Sequence, residues 1–237
     1  MNLKQFRLYN LELALLKKPG AIKQKILLKR QVASEHSVFY INDTCLAGSS
    51  ISQKGQFYTY NPIKDTIIYF NCYPQVVDKR YKQRELDRTY EFFGNSRINQ
   101  TKSKIALAYL YFNRIDIFNI REKEVLSIHV PLQGENVITD KVEINSLEAK
   151  KLGYFDVFAT EKYIYALKND CYINEITSGN YRSEIHIFNW SGNSICRYFL
   201  DSPIEYIVVD ERNKTLYGGH IYTDGIVSKF ELGPEIL

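Results

Sequence analysis

Short runs in which apolar and polar residues alternate recur along the whole chain. Phe6-Arg7-Leu8-Tyr9-Asn10, Phe57-Tyr58-Thr59-Tyr60-Asn61, Ile115-Asp116-Ile117-Phe118-Asn119 and Ile185-His186-Ile187-Phe188-Asn189 share one pattern, with Val227-Ser228-Lys229-Phe230-Glu231 as a weaker fifth copy. A period of two belongs to a strand with one buried face, so positions one, three or four of each copy are expected inside and the polar ones outside. Asn and Asp bond their own backbone and tolerate left-handed geometry, so the closing residue predicts a turn, as in Asn61 to Asp65 and Trp190-Ser191-Gly192-Asn193. Another strand is expected after each turn, at Thr66 to Phe70, Glu124 to Ile128 and Ser194 to Leu200.

A second hairpin precedes each motif. Tyr154 to Phe158 turns into Tyr163 to Leu167, Glu205 to Val209 turns through Asp210-Glu211-Arg212-Asn213 into Thr215 to Tyr217, and Ser37 to Ile41 turns into Thr44 to Ala47. Two hairpins make four antiparallel strands. Successive motif ends stand 51, 58, 70 and 42 residues apart, and the shortest spacing suits a propeller blade of about 40 to 45 residues. Small serial sheets cannot cover their own faces, so stacking them around an axis is the expected way to bury them. The chain therefore reads as a single β-propeller domain, 1–237. It has a partial first blade at 1–35, further blades at 36–75, 89–132, 154–203 and 204–237, and inter-blade insertions at 76–88 and 133–153. Tyr73 to Thr89 is charged and expected to be partly helical, and Ser146 to Gly153 suits a short helix with an N-cap Ser and a terminal Gly. Lys168 to Ser183 is expected to lengthen one loop between second and third strands. A competing reading of residues 3 to 16 is an amphipathic helix, because Leu8, Leu11 and Leu15 share a helical face.

Composition supports β structure. Nineteen Tyr and 13 Phe against one Met and one Trp favour pleated surfaces, and 45% apolar with 24% charged residues exclude a disordered chain. The formal net charge of +4 is too small to imply nucleic acid. The one basic cluster, Lys79 to Arg84, is diluted by Asp78, Glu85 and Asp87. The longest uncharged apolar run, Ile105 to Phe112, falls short of the roughly 20 residues a spanning helix needs. Asn10, Glu12 and Lys17-Lys18-Pro19-Gly20 spoil the first residues as an export signal. Cys45, Cys72, Cys171 and Cys196 form no C-x-x-C pair and read as small apolar residues packed in strands, although disulfides stay open.

On these residues the chain resembles the TolB-like six-bladed propellers of Bacteroidetes bacteria. The likeness is strongest from Lys104 to Asn119, in Tyr163 to Leu167 and from Ile185 to Asn193, and spans roughly residues 36 to 232. The resemblance implies an all-β six-bladed propeller, an exported setting such as the cell envelope, and no assigned activity. The first motif has only five residues before it, so about 4.5 to 5 blades are expected here, with the N-terminal portion of the ring incomplete. No signal peptide or lipid-attachment cysteine accompanies it, which leaves localisation open. Were the chain complete, open blade edges would favour self-association.

Catalytic signatures such as H-E-x-x-H, G-x-x-x-x-G-K, G-x-S-x-G and G-x-G-x-x-G are absent from the sequence. No catalytic residue, metal or cofactor is assigned. Of the four His, only His220, in the loop Gly218 to Gly225 with Asp224, is placed for acid–base work, and a local hydrogen-bonding role is the favoured reading. Loops between second and third strands gather the expected binding face: Lys54, Tyr111, Arg114, Asp170, Tyr172, Tyr181, Arg182, His220, Tyr222 and Asp224. Tyr and Arg present large area and polar tips at modest entropy cost. The expectation is a non-enzymatic module binding a protein, peptide or glycan at the funnel. The alternative is a glycoside hydrolase or lyase using Asp156, Asp170 and Asp224, which would need acids about 5 to 9.5 Å apart across a cleft.

Overall fold

The computed structural model describes residues 6–11, 22–28, 32, 35–52, 54–73, 92–130, 151–169, 171–220 and 225–233. The chain forms two compact units, Met1–Cys72 and Tyr73–Leu237. The fold is all-β, built from serial antiparallel sheets of up to four strands, as in an incomplete propeller.

In the first unit β1 (Phe6–Leu11) pairs with β2 (Ile22–Leu28) as a two-stranded sheet. Phe6 to Leu11 is thus a strand, and the helical alternative fails there because the run keeps its period of two. A four-stranded sheet follows: β3 (Phe39–Asn42), β4 (Cys45–Ser52), β5 (Gly55–Asn61) and β6 (Thr66–Phe70), in chain order. Leu46, Tyr58 and Tyr60 pack with Val32 on one of its faces.

The second unit holds three sheets. The first has β7 (Gly94–Ile98), β8 (Lys104–Tyr109), β9 (Arg114–Asn119) and β10 (Glu124–His129); the second has β11 (Tyr154–Ala159), β12 (Tyr163–Asn169), β13 (Ser183–Asn189) and β14 (Ser194–Phe199). The third is three-stranded among the described residues, with β15 (Tyr206–Asp210), β16 (Thr215–Gly219) and β17 (Val227–Glu231). All five motif copies are strands; the closing Asn of three of them turns the chain as expected, whereas Asn10 stays within β1 and pairs with Gln24. Asn61 Oδ1 accepts from the N–H groups of Ile63 and Lys64, Asn119 Oδ1 from Arg121 and Glu122, and Asn189 Oδ1 from Ser191 and Asn193. The expected helices fall largely at 74–91 and 131–150, outside the described residues.

The expectation that polar motif positions face outward is corrected by burial. Asp116 and His186 are 0% and 4% exposed, and Tyr58 is fully buried. For His186 the reason is plain: the second sheet of the second unit is covered on both faces. Ala106, Ala108, Ile115 and Ile117 meet Tyr154, Val157, Ile164, Ala166, Phe188 and Trp190 on one side. On the other side Tyr165, Leu167, Ile185 and Ile187 meet Ile204, Ile207, Val209, Leu216 and Leu232. Each large apolar side chain buried this way contributes roughly 1.5–3 kcal/mol.

Polar ties run between the sheets. Asn95 donates to the Phe155 carbonyl at 2.6 Å and Lys104 to the Trp190 carbonyl at 3.0 Å, and within the second sheet Trp190 Nε1 donates to the Thr160 carbonyl at 3.0 Å. Glu211 accepts from Thr160 and Tyr165 across the next interface. Buried tyrosines are satisfied individually, as aromatic bodies with one polar tip require. Burial raises the pKa of Tyr58, Tyr154 and Tyr165 far above the ordinary phenol value.

Candidate functional site

In an antiparallel sheet of four strands, the loop between strands two and three lies at the same end as the connection entering strand one. In the second unit this end gathers, among the described residues, the loops 110–113 and 171–182, residues 220 and 225–226 beside β16 and β17, and the starts of β11 and β15. Gly153 fixes the entry to β11: its N–H donates to the Leu110 carbonyl at 2.6 Å, and a Cβ there would come 2.3 Å from the Phe112 carbonyl oxygen. Only glycine lets the two backbones approach so closely.

Around the first loop, Phe92 stacks on Phe112 at 5.3 Å between centroids, and Tyr109 meets both rings edge-on. The Tyr109 hydroxyl donates to Asp116 Oδ2 at 2.6 Å. Arg114 donates to the same carboxylate through Nε at 2.8 Å and Nη2 at 3.2 Å, and to Ser127 Oγ at 2.7 Å. Arg114 is therefore engaged in a fork on a wholly buried acid. Tyr111 is half-buried, and burial raises its phenol pKa.

The second loop carries a 3-10 helix, Ile173–Ser178, which ends at Gly179 with φ 63°. Tyr172 precedes it, its N–H donating to Glu175 Oε2 at 2.8 Å while its ring is 42% exposed. The loop is pinned where the Leu152 N–H reaches the Cys171 carbonyl. Tyr181 donates a short hydrogen bond to the buried Glu205. Arg182 lies over the ring of Phe199 at 5.5 Å from its centroid. In the third loop His220 Nε2 meets Ser228 Oγ at 3.1 Å. Asp170, Tyr222 and Asp224 lie outside the described residues. Lys54, in the first unit, sits over Tyr69 at 5.7 Å.

Sequence reasoning missed the buried polar chain beneath these loops. The Tyr154 hydroxyl and His186 Nδ1 are 2.9 Å apart, and His186 Nε2 meets Glu184 Oε2 at 3.1 Å. The hydrogen bond from His186, ahead of the nearby charges of His186, Lys168 and Arg197, holds the Glu184 carboxyl below its ordinary pKa despite some opposing burial. The available signal was a polar residue at step two of the repeat with a charged one two positions earlier. Asp156 is also buried, its Oδ2 accepting from the Ile207 N–H at 3.1 Å and its Oδ1 facing Arg97 at 3.3 Å. Burial raises its pKa against those three stabilising contacts from Ile207, Arg97 and Val157. This acid bridges three inner strands, β7, β11 and β15. Among the described residues no group of three or more His, Cys, Asp or Glu is arranged to hold a metal ion, and no helix is long and apolar enough to cross a membrane.

Residues 72–212 match the family described as TolB-like 6-blade propeller-like. The chain belongs to that family. No curated protein matches it. Among solved structures, a member of the DUF4221 family from Bacteroides vulgatus is similar, at 9% identity and a TM-score of 0.54, over 90% of this chain and 70% of the other. A streptogramin B lyase structure aligns at 9% identity and a TM-score of 0.47, over 90% of this chain and 59% of the other. A 6-phosphogluconolactonase candidate from Bacteroides fragilis aligns at 11% identity and 0.49, over 83% of this chain and 50% of the other. At 9% identity the likeness to the DUF4221 member extends to the fold alone. The chain spans between half and seven-tenths of the length of these three structures.

Proposed function

We propose that the protein is a binding module whose loop end recognises a protein, peptide or glycan, each sheet serving as one blade of a propeller. One observation carries this reading. Each buried acid described at or near that end already has a partner, Asp116 with Tyr109 and Arg114, Asp156 with Ile207 and Arg97, Glu184 with His186, and Glu205 with Tyr181. Tyr172 and the Arg182–Phe199 pair, by contrast, present area to solvent. A hydrolase needs a free acid and base across a cleft, whereas recognition needs exposed aromatic and guanidinium surface. The proposed setting is the cell envelope, following the exported members of the resembling family.

A panel of envelope glycans and peptides, assayed both for affinity and for product, tests the reading. Saturable binding without turnover is expected, and Tyr172→Ala should weaken it about tenfold with no change in melting temperature. Product formation at the loop end would contradict it. Tyr181→Ala is the wrong variant for this purpose, because it would remove a hydrogen-bond donor from the buried Glu205 and lower stability.

A further inference from the structure

The outer strand of the second sheet carries a cationic face on an edge that no other described strand pairs. Strand β14 pairs with β13 and ends its sheet. The Leu200 N–H bonds the Ser183 carbonyl, and Arg197 and Phe199 pair in register with His186 and Glu184. By antiparallel alternation the backbone N–H and C=O groups of Arg197 and Phe199 then point away from β13, toward the open edge. Two residues apart, their side chains share one face of the strand.

That face is built for an anion. Arg197 lies 4.4 Å and Arg182 5.5 Å from the centroid of the Phe199 ring, which is 53% exposed. Stacking on a ring fixes the plane of a guanidinium and leaves its N–H edge available for a bidentate acceptor. Arg197 spends one nitrogen on Glu184 at 3.7 Å. Arg182 rests on the Phe199 ring. With Lys168 also beside Glu184, two cations, Lys168 and Arg197, face that carboxylate.

We propose that β14 accepts an extended acidic peptide as an added strand, a carboxylate opposite Arg197 reaching the Arg182 and Arg197 guanidiniums together. Main-chain hydrogen bonds to the open edge supply affinity, and the cationic face selects the side chain. Directly opposite residues stand about 4.5–5.5 Å apart between Cβ atoms, within reach of both forks. The edge groups favour a peptide over an acidic glycan, since a sugar chain cannot continue a backbone ladder. The proposal deepens the binding-module reading through Arg182 but uses a surface apart from Tyr172.

A labelled peptide of alternating Glu and Val tests it by fluorescence anisotropy at low salt. Three controls accompany it: the same peptide with Gln for Glu, one with backbone N-methyl groups along one edge, and polygalacturonate. We expect both altered peptides to bind about tenfold more weakly, and Arg182→Ala with Arg197→Ala to cause the same loss. Arg182→Ala alone should still weaken binding with an unaltered melting curve, which guards against a folding defect in the double variant. Equal binding of the Gln peptide, or indifference to N-methylation, would overturn the proposal. So would polygalacturonate binding that the Arg variants abolish while the peptide fails to bind. Failure here together with intact ligand binding at Tyr172 would leave the binding-module reading standing.

Discussion

Asp116 of β9 and His186 of β13 occupy the same step of the repeat in neighbouring sheets, and both are buried. Each is met from two residues earlier on its own strand, Asp116 by Arg114 and His186 by Glu184. Each is also met by a tyrosine hydroxyl from another strand, Tyr109 of β8 or Tyr154 of β11. The signs are permuted: cation before acid in one sheet, acid before imidazole in the other. The repeat therefore fixes a buried polar position with two kinds of partner, and leaves the charge of the occupant free. In the first unit the corresponding Tyr58 reaches the Ser37 carbonyl instead, at 2.8 Å.

The largest test of this comparison removes one member. Asp116→Ala leaves Arg114 without its carboxylate and Tyr109 without its acceptor, and should cost about 3 kcal/mol or more in chemical denaturation. A cost below about 1 kcal/mol, the scale of an exposed pair, would mean that the cluster is solvated and the comparison false.

Exchanging the two solutions sharpens it further. Asp116→His alone opposes Arg114 with an imidazole, whereas Arg114→Glu with Asp116→His imports the arrangement of the second sheet. The double variant should recover about 1 kcal/mol or more relative to the single one, within the range measured for contacting residues in mutant cycles. Strict additivity would show that the two positions are alike only in burial.

Smaller effects lie in the pH dependence, where two buried acids have opposite signs. Glu184 has a folded pKa below its unfolded value, so its stabilisation is present above about pH 4.3 and is lost as pH falls through the folded value. Asp156 has a folded pKa above its unfolded value, so its contribution is greatest below about pH 3.9 and declines as pH rises through the folded value. In urea titrations at a series of pH values, the deficit of Glu184→Gln relative to wild type should shrink on acidification. Asp156→Asn should gain on wild type as pH rises from about 3.9 through the raised folded value. Parallel pH curves for the two variants would contradict the assigned burial and contacts.

The comparison also shows which parts of the molecule were legible in sequence. Strand positions were, because alternation and closing Asn residues are local signals; Thr66–Phe70 and the turn after Asn189 needed no tertiary information. Burial of Asp116 and His186 was not, because a period of two cannot tell a strand covered on one face from a strand covered on both. The site was partly legible. Tyr172, Tyr181 and Arg182 lie on the expected loop, but Arg114 turned out to be bound to Asp116, and Glu205 emerged as a partner only through Tyr181. The pairing of Arg182 with Arg197 over Phe199 depends on a sheet register that no local pattern encodes.

Residue-resolved hydrogen exchange in native conditions tests most directly whether the third strands β9 and β13 are buried on both faces. The amides of β9 and β13 should exchange only through opening close in free energy to global unfolding, while the outward amides of Arg197 and Phe199 exchange through local opening. Exchange in β9 and β13 as rapid as in the outer strands β10 and β14 would contradict the account.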